Sequence, residues 1–303
     1  MFYLTLAIIC SASIALIFKY TEGTNANRYV ITSANYFIAF AISLFLIFSK
    51  GLLVGMTREN SFLSEFSLLT SNSNYILSPY SSMIWGLIIG GIFGSFFFLS
   101  FVYYQKSIKE NGVGISGTIA KLGILIPMIF SIVIWKEFPS AIQWIGIILS
   151  LVSILIVNLS QKSLETFDVK PTLIFLFIFG GMAEFSSKFY QKYALNDYKD
   201  VFLFALFFVA FLISIFYTFR KKGEITKKDI FIGFAVGIPN LFSSYFLILA
   251  LATLKTSVVF PIYSAGSIVL INIGGFLLFR EKIAKKNQVA IILTIIALIL
   301  INK

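Results

Sequence analysis

Apolar residues run on in this chain for about twenty positions at a time, and they do so ten times. The runs lie near 2–20, 29–49, 83–105, 112–135, 140–159, 172–190, 200–219, 229–252, 256–279 and 284–301. At 1.5 Å per residue, about twenty residues cross a hydrocarbon layer roughly 30 Å thick. The apolar positions are continuous and do not alternate, so they do not describe barrel strands. In lipid every backbone N–H and C=O must be satisfied within the protein, and a helix does this within one segment. The expectation is an all-α membrane protein of ten transmembrane helices.

Composition closes off the other reading. Charged residues make up 12% of the chain and hydrophobic ones 58%, against roughly 25% charge in a soluble domain. Too few charges remain to dress a water-facing surface, which places the chain in the cell membrane as a multi-pass protein, with the lipid bilayer as its first partner. The net charge of +11 sits mostly in short connections between runs. There it acts as a topology signal and headgroup contact, and no nucleic-acid partner follows from it. Met1-Phe2-Tyr3 carries no positive charge ahead of the first run, so that run is expected to be kept as a helix. Histidine is absent and Cys10 is the one cysteine. The commonest general base, the commonest metal ligand and any disulfide framework are thereby missing, and no metal or other cofactor is expected.

The runs fall into two sets. Residues 103–158 and 247–302 align at an offset of about 144, the mark of an internal repeat. Lys136-Glu137 then falls on Arg280-Glu281, Trp135 on Phe279, Gly146-Ile147-Ile148-Leu149 on Ala290-Ile291-Ile292-Leu293, and Asn158 on Asn302. The first run matches the sixth at an offset of about 169, pairing Lys19 with Lys188. The difference is a long polar connection at about 50–82, read as a surface insertion with a short interfacial helix at 61–69. The domains are therefore a first five-helix repeat over 1–160 and a second over 170–303. Five crossings is an odd number, so the two repeats enter the membrane in opposite senses. Inverted repeats place a substrate path between them near the midplane.

The unit Tyr103-Tyr104, Gly112-Val113-Gly114, Ile126-Pro127, Trp135-Lys136-Glu137 and Gly146-Ile147-Ile148-Leu149 resembles the EamA-type repeat of the drug/metabolite transporter superfamily. The second copy departs from it: Pro261 lies earlier in its helix than Pro127, and both corners carry a basic residue where Gly-Glu is usual. The resemblance implies a ten-helix secondary carrier whose fifth and tenth spans are peripheral while eight others line a central cavity. It also implies that both termini face the cytoplasm. The charge distribution points the other way. Fifteen Lys and Arg fall in the connections between spans 1–2, 3–4, 5–6, 7–8 and 9–10 and eight on the other side, Lys121 excepted, which by the positive-inside rule puts both termini outside.

Two charges lie inside the runs. Lys121 is about nine residues into the fourth span and Glu184 about twelve into the sixth, both near mid-membrane depth. An intramembrane charge is costly and marks a functional site by default. Lys121 is assigned to an anionic group on the substrate, and Glu184 to a coupling proton or a cation. The alternative is a buried Lys121–Glu184 ion pair that fixes helix positions. Lys19 and Lys188 lie nearer helix ends and are expected to snorkel to the headgroups. Ser11 and Ser13, Asn35 and Tyr36, Asn240, Ser243, Ser244 and Tyr245, and Tyr263, Ser267 and Asn272 supply polar groups in spans one, two, eight and nine. Of these Asn35, Tyr36, Asn240, Ser244, Tyr245, Tyr263 and Asn272 join Lys121 and Glu184 as candidate substrate-binding residues. Bonding between helices is the competing role for each.

The pairs Gly90 with Gly94 and Gly233 with Gly237, together with Gly180-Gly181 and Gly274-Gly275, allow close helix approach. Gly112-Val113-Gly114-Ile115-Ser116-Gly117 matches GxGxxG, but it opens a membrane helix and follows no strand, so it is no dinucleotide site. The function expected is secondary transport of a small metabolite, amino acid-like or amphipathic, by alternating access. A membrane-embedded enzyme would need a catalytic constellation, and none is visible; a channel or a non-transporting membrane partner is the remaining alternative. The residues specify no direction, coupling ion or oligomeric state.

Overall fold

The structure is a computed structural model and describes residues 1–20, 26–54, 61–71, 75–158, 170–220, 224–280 and 285–301, the side chains of 70, 71, 112–114 and 158 excepted. Among these residues there are eleven α-helices: α1 (Phe2–Tyr20), α2 (Arg28–Ser49), α3 (Phe62–Ser71), α4 (Pro79–Leu122), α5 (Leu125–Trp135), α6 (Ala141–Asn158), α7 (Pro171–Tyr193), α8 (Lys199–Arg220), α9 (Lys227–Leu251), α10 (Thr256–Phe279) and α11 (Lys285–Ile301). A 3-10 turn at Asn196–Tyr198 leads into α8.

Among the described residues eight segments are helical, long and apolar enough to cross a membrane: Phe2–Tyr20, Arg28–Ser49, Pro79–Asn111, Ile115–Trp135, Pro171–Tyr193, Asn196–Arg220, Lys227–Leu251 and Thr256–Phe279. The chain is a multi-pass membrane protein. The two remaining expected spans are helices α6 and α11, of 18 and 17 residues. At 1.5 Å per residue they reach about 25–27 Å, short of a full crossing perpendicular to the layer.

Helical backbone is continuous through the 44 residues of α4, yet this is not one rod. The hydroxyls of Ser107 and Ser116 meet at 2.7 Å, whereas nine residues of straight helix would separate them by about 13 Å. The stretch doubles back beside Asn111 and supplies two spans. The second of these is broken again. Gly123 and Ile124 form a turn before α5. Pro127 has no N–H to give the Gly123 carbonyl, which instead accepts from Ile126 at 3.0 Å. A short helix is present in the insertion, as expected, as α3 (Phe62–Ser71). Buried Glu65 at its start accepts from the Ser78 N–H and hydroxyl at 2.8 and 2.6 Å, which ties the insertion to the first turn of α4.

Four helices meet through glycine. A Cβ on Gly90 or Gly94 of α4 would lie 2.5 Å from the carbonyl oxygen of Phe202 or Leu206 in α8. A Cβ on Gly233 or Gly237 of α9 would lie 2.6 or 2.5 Å from that of Ile31 or Asn35 in α2. The backbones touch, as small residues permit in membranes. Aromatic rings fill the space around the first crossing: Trp85, Phe93, Phe185, Tyr190, Phe202 and Phe207 form one buried cluster with their neighbours.

Helices α6 and α11 pack on each other and run antiparallel. Gln143, early in α6, donates to the carbonyl of Ile301 at the end of α11 at 3.2 Å. Lys286, early in α11, donates to that of Val157 near the end of α6 at 3.0 Å. Midway, the Ser153 hydroxyl bonds the Ala290 carbonyl at 2.8 Å and the Thr294 hydroxyl at 2.7 Å.

Tyr3 of α1 stacks on Phe246 near the end of α9. The N-terminus thus lies on the same face as the connections after α2, α5, α7 and α9. We call this the termini face.

Candidate functional site

Lys121 and Glu184 flank the closest approach of two helices. Where the fourth span breaks, the Gly123 carbonyl oxygen would lie 2.5 Å from a Cβ on Gly181 of α7. Lys121 precedes Gly123 by two residues and Glu184 follows Gly181 by three, one turn along the same face. Each charge acts on the other, yet no ion pair within 4.0 Å joins them among the described residues. Both residues are half-buried. The tight ion pair considered as an alternative role for these two residues is not formed.

Tyr263, two residues past Pro261 in α10, faces the same region. Its hydroxyl meets Ser243 of α9 at 2.8 Å, lies within reach of Ser11 of α1, and is near enough to Glu184 to feel its charge. Ser243 also donates to the Ala7 carbonyl at 3.2 Å. Asn35 and Asn240 are joined across α2 and α9, Asn240 Nδ2 donating to Asn35 Oδ1 at 3.0 Å. Ser244 is partly exposed beside this pair on α9.

Three candidates lie elsewhere. Tyr36 is 4% exposed in the aromatic cluster, its hydroxyl directed to the Phe97 carbonyl at 3.5 Å. Asn272 accepts from Asn287 of α11 at 2.7 Å and donates to the Ile268 carbonyl, so it ties two helices. Tyr245 stands at the termini face among cations, with Lys199 4.5 Å and Lys50 5.2 Å from its ring centre.

Sequence reasoning missed two charge pairs at the termini face. Lys50 bonds Asp200 at 2.6 Å, linking the end of α2 to the start of α8. The Lys50 ammonium is half-desolvated, which lowers its proton affinity, but the bond to Asp200 outweighs this and leaves its pKa above the usual lysine value. Lys188, expected to snorkel, is 4% exposed and pairs with Glu137 at 2.7 Å. Protein encloses it, and the Glu137 carboxylate takes the charge that the headgroups would otherwise receive. Burial pushes the Glu137 carboxyl up, but Lys188 and Thr256 together hold it below the usual glutamate value. Lys188 also lies 5.4 Å from the centre of the Trp135 ring, whose Nε1 donates to the Tyr193 hydroxyl at 2.9 Å. The signal for this pair was present in Lys136-Glu137 and in the Lys19–Lys188 match, read separately as punctuation and as headgroup anchors. Among the described residues no cluster of His, Cys, Asp or Glu has a metal-binding arrangement.

No family model matches the chain. An uncharacterized protein of Haemophilus influenzae is 24% identical over 97% of this chain and 95% of its own length, so the chain has a homologue over its full length. A solved crystal structure of a protein at 15% identity covers 99% of this chain and 94% of that one with a TM-score of 0.67. The likeness to it is one of fold.

Proposed function

We propose that this chain is a secondary transporter of the drug/metabolite kind. It moves a small metabolite, amino acid-like or amphipathic, between two inverted five-helix halves by alternating access. The observation that carries the reading is the Lys121–Glu184 arrangement. Two opposite charges stand near mid-depth beside a broken helix, each aware of the other and neither bonded to it. Discontinuous helices of this sort build substrate sites in carriers. A ligand with an anionic group for Lys121 and a cationic group for Glu184 completes both charges at once; a proton on Glu184 serves a ligand that lacks the cation. Tyr263, Ser243, Asn35 and Asn240 orient the ligand by hydrogen bonds.

The inverted repeat is supported by contacts that recur in exchanged form. Gly90 and Gly94 correspond to Gly233 and Gly237 at nearly the same offset of about 144 that aligns the later spans. Their partners Phe202 and Leu206 correspond to Ile31 and Asn35 at about 170, close to the offset of the first span. Lys136 and Arg280 are equivalent and share a left-handed backbone, with φ of 56° and 54°. The equivalent helices α6 and α11 exchange end-to-end bonds and run in opposite senses, as a two-fold axis in the membrane plane requires.

Purified protein screened by thermal shift against a metabolite panel, followed by uptake of the hits into proteoliposomes, tests the proposal. Stabilisation by solutes that bear both charges is expected, with uptake that Lys121→Ala and Glu184→Gln remove. Wild-type uptake by both variants would end the site assignment. Ion conductance through single molecules in place of saturable uptake would end the carrier reading.

A further inference from the structure

Glu137 stands at the corner between α5 and α6, presented by the left-handed Lys136 that caps α5. Its carboxylate takes bonds from two other elements, the Lys188 ammonium of α7 at 2.7 Å and the backbone N–H of Thr256 at 3.0 Å. Lys255 beside it reaches the Phe138 carbonyl at 3.5 Å. One carboxylate thus joins the corner, α7 and the N-terminus of α10, where the orphan N–H groups and the helix dipole favour an anion.

Outward of this junction the termini face opens in a depression of about 450 Å³, lined by Lys188, Lys192, Lys255 and the 251–254 turn. Inward, on α5 before the corner and on α10, the chemistry is of a different kind. Ser131 of α5 and Ser257 and Ser264 of α10 are at most 1% exposed, and their hydroxyls have no partner among the described residues. Buried polar groups are nearly always satisfied, and an exception calls for a reason. A passage that hydrates when Glu137 lets go is such a reason. The opposite face repeats part of the device. Lys19 stands 5.7 Å from the centre of the Phe279 ring, as Lys188 stands over Trp135, and Arg280 follows with the same left-handed backbone as Lys136.

We propose that the bond from Glu137 to Lys188 and the α10 N-terminus is the closing latch of a gate on the termini face, and that Lys19 over Phe279 marks its counterpart on the opposite face. This inference rests on the alternating-access reading. When the latch opens, the corner leaves α10, Lys188 stays on α7, and the depression becomes continuous with the space around Lys121 and Glu184.

The test is a single reporter, Ser264→Cys in a Cys10→Ser background, about 12 Å along α10 from Thr256. It is modified with a membrane-impermeant maleimide applied to one side of reconstituted vesicles. Slow modification is expected for the parent. Glu137→Gln should raise the rate from the termini face alone by about tenfold or more, the scale of one charge-assisted hydrogen bond. Lys19→Met should raise it from the opposite face alone. Glu65→Gln, which removes a buried carboxylate at the termini face outside the latch, should leave it unchanged. Glu137→Asp keeps the charge and shortens the reach, and should give a smaller rise, which preserves the test if Glu137→Gln does not fold. An unchanged rate in a folded latch variant, or an equal rise in Glu65→Gln, overturns the latch. The labelling uses no solute. Expected labelling with no uptake of any solute therefore leaves the latch and removes the transport reading; uptake with flat labelling does the reverse.

Discussion

Two pairs of opposite charge lie within one helix of each other, and they are built differently. Glu137 and Lys188 meet at 2.7 Å, and the carboxylate's second oxygen is taken by a backbone N–H. Lys121 and Glu184 sit deeper, interact electrostatically and remain apart. A joined pair has spent its charge on the protein; on the proposed reading, the separated pair keeps its charge for a ligand. Bonding thus separates two pairs that depth in the sequence had already set apart.

The sharpest way to break this comparison is to remove one lysine from each pair. Lys188→Met leaves Glu137 without its counter-charge. It should cost about 3 kcal/mol in thermal unfolding in detergent, the low end of what breaking a buried pair costs, because Glu137 is only partly buried. Lys121→Ala breaks no bond and should unfold close to wild type while uptake falls by about tenfold or more. A large stability loss in Lys121→Ala with uptake intact would invert the assignment.

Next in size is Gly237→Val. It drives a side chain into the Asn35 carbonyl and Ile38, and overpacking of this kind costs about 1–3 kcal/mol. Gly91, with open space around its Cβ position, should accept alanine without loss.

A pH series sharpens the latch further. Lys188 and Lys192 face Glu137 from α7, Lys255 from the start of α10, and Lys136 precedes it in the chain. Its folded-state pKa is depressed, so its contribution is present above the usual glutamate range and lost as pH falls through the lowered value. The ratio of the labelling rate from the termini face to that of the same reporter in the Glu137→Gln background, which cancels the thiol's own pH dependence, should therefore stay flat from neutral pH through that range and rise only below it. A rise already at mildly acidic pH would refute the pairing. The smallest effect is Ser153→Ala between α6 and α11, about 0.6 kcal/mol by the average for hydrogen bonds between membrane helices.

Much of the fold was legible in the residues because the forces that decide it are local. Length and apolar continuity gave ten spans, and eight of them are helices long and apolar enough to cross a membrane. Rotation of each helix about its axis was not legible, since packing against neighbours sets it. Tyr36 turns into the aromatic cluster, Asn272 toward α11 and Tyr245 toward Lys50 and Lys199, although all three share the residue types of a polar site. The Lys188 error has the same origin. A lysine five residues from the end of its helix snorkels when lipid surrounds it, and here protein does.

The glycine crossings of α4 on α8 and of α2 on α9 carry a mechanical consequence. Backbone resting on carbonyl leaves no side chain to compress or change rotamer, so the spacing of each crossing is fixed by the main chain itself, and any larger residue there must push two whole helices apart.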